Sequence, residues 1–93
     1  MFLPSAFEWD NAKAASNLAK HGVPFAFAAR VFLDVGLVDF DASRAADREA
    51  RRKAVGVIDG RIYTVVYAQR GGAARLISAR RANITETRLY GKV

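Results

Sequence analysis

The chain has no cysteine, one histidine, one tryptophan and only two prolines among its 93 residues. Each scarcity removes a class of function. Without cysteine there is no disulfide framework, no thiolate zinc site and no cysteine nucleophile, and a single histidine argues against a metal centre built by the protein. Cofactor-free and metal-free chemistry is the expectation, or no chemistry at all. Acidic residues are short as well. Nine Asp and Glu face fifteen Lys and Arg, a formal net charge of +6, and a field of that sign attracts nucleic acid, an anionic surface or an acidic protein. No run approaches the roughly 18 apolar residues of a membrane span, and the opening MFLPSAF lacks the basic start and apolar length of a signal peptide. A cytoplasmic protein with no membrane partner is expected. No stretch forms a phosphate-binding glycine loop, a dinucleotide fingerprint, a Ser-His-Asp set or a calcium loop.

What is present is globular. With 52% hydrophobic and 11% aromatic residues, the chain suits a single domain over 1–93 with one small core. Asp10 can cap a helix over Asn11–His21 that Gly22 ends, with Ala14, Leu18 and His21 on one face. Pro24 suits the start of a second helix, carrying Phe25, Ala28, Ala29 and Phe32 at helical spacing. VGLVDF (35–40) is a short strand candidate, and DASRAADREARR (41–52), which has no apolar stripe, reads as a loop. Then the code becomes β. KAVGVI and IYTVVYAQ flank the hairpin signal Asp59-Gly60, and ARLISAR follows a turn at Gly71-Gly72. Asn83 and Glu86 stand at capping-box spacing for a last helix that Gly91 ends. The expectation is an α+β fold of two N-terminal helices, an antiparallel meander and a C-terminal helix, with one sheet face free.

Two of these strands end in arginine, at Arg70 and at Arg80-Arg81, and Arg44, Arg48, Arg51 and Arg52 precede the meander. Guanidinium groups gathered beside an open sheet face would bind phosphate, because the planar fork meets two oxygens at once and stays charged. The other reading is solvated protection of strand edges. Strict alternation places Leu76, Ser78 and Arg80 on one side of the last strand, and Arg75, Ile77, Ala79 and Arg81 on the other. His21 is the obvious proton carrier, with Glu49 and Tyr67 weaker candidates. Trp9, just before a helix cap, reads as core or as a hydrophobic staple.

Taken in order, FEWDNAKAASNLAKHGVPF, VGV before the hairpin, VVYAQRGG and RLISARRANITETRLY resemble the BrnT family of type II toxin-antitoxin systems, whose members look like RelE-type ribonuclease toxins. The resemblance spans about Phe7 to Tyr90. It implies a RelE-like fold, RNA as substrate, metal-free cleavage by the ribose 2′-OH, and a BrnA-like ribbon-helix-helix antitoxin through which the complex meets operator DNA. Homo-oligomers within that complex are conceivable. By position it implies Arg80 and Arg70 on the scissile phosphate, Arg51 and Lys20 in support, and His21 or Glu49 on a proton, with Arg81, Arg52 and Tyr67 along the RNA. The chain departs from the family pattern where Ala50 stands for a usual Glu, where Ala68 and Gln69 stand for Thr-Glu, and at Ala26 and Phe27. Those lost carboxylates keep open a degenerate toxin that binds nucleic acid or antitoxin without cutting.

Overall fold

The computed structural model describes residues 2–91. Strands β1 (Ala6–Glu8), β2 (Val38–Asp41), β3 (Arg52–Ile58), β4 (Arg61–Arg70) and β5 (Ala73–Arg81) form one sheet in the order β1-β5-β4-β3-β2. Helices α1 (Asn11–His21) and α2 (Phe25–Ala28), the latter running into a 3₁₀ segment at Ala29–Leu33, lie between β1 and β2, and α3 (Ile84–Tyr90) closes the chain. No helix among the described residues is long and apolar enough to cross a membrane.

The local signals act where the sequence places them. Asp10 accepts hydrogen bonds from the Ala12 and Lys13 amides, and Gly22 ends α1 at φ 70°. Asp59 and Gly60 both take positive φ, 50° and 82°, as the tight β3–β4 turn requires. Asn83 and Glu86 complete a reciprocal capping box. Trp9 packs edge-on against Phe25 at 5.9 Å, in the core reading. The 42–51 segment is irregular but pinned, because Ser43 Oγ accepts the Arg51 amide and Ala42 N–H donates to the Arg51 carbonyl.

Four expectations need correction. The candidate at 35–40 joins the three strands of the meander as β2, and a fifth strand that was not expected begins the chain ahead of the two helices. β1 runs parallel to β5, so the sheet is mixed. The face of α1 that turns inward carries Ala14 and the buried Asn17, whereas Leu18 is 48% exposed and His21 is exposed. Lastly, the second sheet face is only partly free, since α3 crosses it.

The main core lies on one face, where Phe25, Ala28, Val31 and Phe32 pack on Ala54, Ile58, Tyr63, Val65, Tyr67 and Leu76. Directly paired residues share a face. Lys53 opposite Val66 and Arg80 opposite Thr64 therefore mark the other one. There Glu86 fastens the start of α3, and Tyr90 Oη fastens its end by donating to Asp34 Oδ2 at 2.6 Å.

Candidate functional site

Three devices bring cationic side chains together on the second face. The first is a bulge. In β5, Leu76 pairs with Tyr67 and Ser78 with Val66, leaving Ile77 without a partner. The strict alternation of the sequence is broken there. Leu76 goes to the helical core while Ile77, Ser78 and Arg80 all face the other way, which is how bulges re-aim side chains beside sites.

The second device is Asn17. β1 pairs with β5 only along Ala73–Arg75, so the rest of β5 has an open edge. The Asn17 amide fills part of it like a fragment of strand: its Oδ1 accepts the Ala79 N–H at 3.0 Å, and its Nδ2 donates to the Ala79 carbonyl at 2.9 Å and to the Val23 carbonyl at 3.1 Å. This holds α1 against β5. Lys13, Ser16, Asn17, Lys20 and His21 fall at i, i+3, i+4, i+7 and i+8 along α1, and they form one wall of a groove whose other wall is Arg51, Ile77, Ser78 and Arg80.

The third device is Glu86. Its buried carboxylate takes a forked pair of bonds from Arg80, at 2.7 and 2.8 Å, another from Lys53 Nζ at 3.3 Å and the capping bond from the Asn83 amide at 2.9 Å. Burial alone would raise its carboxyl. The Arg80 bonds, the Asn83 N–H, the adjacent Thr64 hydroxyl and the Arg80 charge outweigh that and hold it down to about 2. Thr64 Oγ1 is itself buried with no hydrogen bond of regular geometry. The hydrogen bond to Glu86, more than any other influence, shifts Arg80 upward, so its charge is fixed.

The expected site residues divide accordingly. Arg51, Arg80, Lys20 and His21 meet in the groove. Arg80 reaches it with both terminal nitrogens already on Glu86. Arg51 is differently placed. Its Nε is buried 3.4 Å from Asp47 Oδ1 without hydrogen-bond geometry, and its terminal nitrogens have no hydrogen-bonded partner among the described residues.

Arg70 does not join them. It opposes Ala73 at the β4–β5 turn, whereas Arg80 opposes Thr64 six residues back along β4, about 20 Å at the strand rise. Glu49 goes with Arg70, 3.4 Å away and exposed. Tyr67 is corrected from RNA contact to core: it is 0% exposed, and its hydroxyl donates to Asp39. Burial first, then the Asp39 carboxylate, pushes that phenol well above its ordinary value of 10.0. Arg52 binds the same Asp39, at 2.7 Å, on the helical side of the sheet. Arg81 opposes Tyr63 on that side and is exposed.

Lys13, Ser16 and Ser78 were not among the expected residues. The stripe on α1 was readable in principle, because it has helical spacing, but it is polar and a search for apolar faces passes over it. As a donor set the groove suits an anion: cations, hydroxyls and an imidazole line it, and no carboxylate does among the described residues.

Compared with known proteins, the chain matches over residues 9–86, most of its length, the family described as "Ribonuclease toxin, BrnT, of type II toxin-antitoxin system". No curated protein matches it.

Proposed function

Since the chain belongs to the BrnT family of ribonuclease toxins of type II toxin-antitoxin systems, we propose that the groove between α1 and β5 is where it cleaves RNA, without a metal ion, in the cytoplasm. The observation that carries this is the convergence of Lys13, Lys20, His21, Arg51 and Arg80 on one cleft. In the reaction, the ribose 2′-oxygen attacks the adjacent phosphorus. Its proton passes to a base, the P–O5′ bond breaks, and the leaving 5′-oxygen takes a proton from an acid, giving a 2′,3′-cyclic phosphate.

The groove has a group for each demand. Arg51, ion-paired with Asp47 through Nε, offers its terminal nitrogens to the phosphate, with Arg80 behind it as a charge held in place by Glu86. Lys20 and Lys13 offset the charge that develops in the transition state. His21 brings the imidazole, the side-chain type most often used to move a proton in both directions in catalysis. Glu49 and Arg70 do not line the groove and are given no part in this step.

Membership of the family implies an antitoxin partner. We take it to be a ribbon-helix-helix protein that silences the toxin and carries the complex to operator DNA. Unopposed, the toxin arrests growth. A second reading is favoured by one observation: Glu86 already engages both terminal nitrogens of Arg80. On that reading the groove binds RNA or antitoxin without cutting.

The test is incubation of purified protein with RNA in the presence of chelator, analysing the product ends. The wild type leaves 2′,3′-cyclic phosphates. Arg51→Ala lowers the rate about a hundredfold to a thousandfold, the range for one lost transition-state donor, and His21→Ala about a hundredfold or more. Intact RNA with folded wild-type protein sinks the nuclease reading and leaves the binding module.

A further inference from the structure

The 42–51 segment, expected as a plain loop, is ordered by its charges. Asp47 stands at the centre: its side chain is only 4% exposed, in a segment whose other residues are mostly exposed. Its Oδ2 accepts the Arg44 amide at 2.7 Å, and its own N–H donates to the Arg44 carbonyl at 2.9 Å. Its Oδ1 accepts Arg44 Nε and Nη2 at 3.3 and 3.1 Å and lies 3.4 Å from Arg51 Nε. Two guanidinium groups thus meet on one buried oxygen. Ser43 Oγ and the Ala42 N–H hold the Arg51 backbone at the same place.

Guanidinium groups brought so close repel one another unless a carboxylate stands between them, and an ion pair that did no more than close an exposed loop would contribute little. The atoms left over point to a ligand. Nη1 of Arg44 and both terminal nitrogens of Arg51 have no hydrogen-bonded partner among the described residues. Both arginines line a cleft of about 540 Å³ between β2, the 42–51 segment and the β4–β5 ladder, together with Ser43 and Ser78. Lys53 at its wall is already on Glu86, and Asp41, opposite Arg52, belongs to the helical side of the sheet. The cleft is continuous with the cationic groove, since Arg51 and Ser78 line both.

We propose that Arg44 and Arg51, set in place by Asp47, form a second phosphate subsite that holds the RNA phosphate next to the one being cut. The inference rests on the nuclease reading for its placement of the scissile phosphate at Arg51. A strand that leaves the groove past Arg51 comes to Arg44, and a phosphate suits the pair because its oxygens take charge-assisted bonds from two guanidinium groups at once. Asp47 is a positioning residue, acting through the two arginines and not on the RNA.

The test measures binding of a labelled 2′-O-methyl hexauridine, which cannot be cleaved, by fluorescence anisotropy across about 50 to 200 mM salt. On a single strand the logarithm of affinity falls against the logarithm of salt with a slope of about 0.7 per neutralised phosphate. Arg44→Ala lowers the slope by about 0.7. Arg48→Ala removes the same charge from an exposed neighbour that lines neither cleft, and it leaves the slope as it was. Asp47→Asn separates position from charge: loss of a negative charge would by itself tighten RNA binding, whereas loss of the clamp weakens it and lowers the slope. The asparagine still has an oxygen for the Arg44 amide, and Arg44→Ala tests the subsite even where Asp47→Asn loosens the loop. Equal effects of Arg44→Ala and Arg48→Ala, or tighter binding by Asp47→Asn, overturn the proposal; a slope untouched by Arg44→Ala also overturns it and leaves the pair to a carboxylate of the antitoxin. Unmodified RNA is assayed in parallel, where Arg44→Ala raises KM and leaves kcat. A slope lowered by Arg44→Ala with no cleavage by the wild type supports the subsite and removes the nuclease; cleavage with that slope unchanged removes the subsite and keeps the nuclease.

Discussion

Acid should unfasten α3 before it unfolds comparable carboxylate-poor regions, and Glu86 sets the scale. Its folded carboxyl lies at about 2 against an ordinary 4.5, a difference equivalent to about 3 kcal/mol. Because the folded value is depressed, that stability is fully present above about pH 4.5 and is lost as pH falls from there through about 2. A domain of this length has on the order of 5–14 kcal/mol in all, so the loss is a large fraction. The perturbation is Glu86→Gln, which keeps an oxygen to accept the Asn83 amide but removes the counter-charge of Arg80 and Lys53. Stranding those partly buried cations costs about 3–5 kcal/mol near neutrality. The assay is urea unfolding of both proteins at several pH values between 6 and 2. Asp10, Asp34 and Asp47, also lowered in the folded state, act equally in both and cancel in the difference. That difference should shrink by about 3 kcal/mol across the range. A difference that stays constant with pH refutes the assignment. If Glu86→Gln does not fold, the double variant Arg80→Met/Glu86→Leu, which removes both charges, should fold and should lack this acid-sensitive component.

Three further outcomes are expected. Asn17→Ala orphans the Ala79 N–H and two carbonyls, costing about 1–3 kcal/mol by denaturant unfolding, and it loosens the wall that carries Lys13 and Lys20. Tyr67→Phe takes one donor from Asp39 and lowers stability by about 1–2 kcal/mol, but RNA cleavage per folded molecule should be unchanged; a selective fall in cleavage would return Tyr67 to the site. Gly56→Ala places a Cβ 3.0 Å from the Val31 carbonyl and 3.1 Å from Leu37 Cδ1, an overpacking that should cost about 1–3 kcal/mol and appear as a lowered Tm.

Caps, the hairpin and the bounds of α1 were legible because each is decided within a few residues, whereas the second helix, expected to carry Phe25 to Phe32, is one α-helical turn followed by a 3₁₀ segment. Asp10 and Gly22 bracket α1 at the ends the sequence predicts, and Asp59-Gly60 turns where it should. β1 was not legible, for three residues show no period. Its place depends on the far end of the chain, where the Ser5 amide donates to the Gly72 carbonyl at 2.9 Å and Ala6–Glu8 lines up with Ala73–Arg75. The candidate site was half legible. Arg51, Arg80, Lys20 and His21 were named and do converge, but residue type alone could not reveal that Arg70 points from the opposite end of the sheet, or that Arg80 already has a carboxylate in its grasp. Tyr67 failed for a related reason: which face of a strand is inside depends on what packs against it.

The unpaired Ile77 has a consequence for how this chain can change its length. Leu76 faces Tyr67 and Ser78 faces Val66, so a chain lacking residue 77 would close into a regular ladder with all later partners unchanged, Arg80 still opposite Thr64. Removing Ser78 would let Ile77 take its place opposite Val66, whereas removing Ala79 would carry Ser78 to the core side opposite Val65, and removing Arg80 would take away the partner of Glu86. The bulge at Ile77 and Ser78 is thus where β5 can lose a residue without a change of side, and the loss would be felt in the wall of the groove and not in the fold.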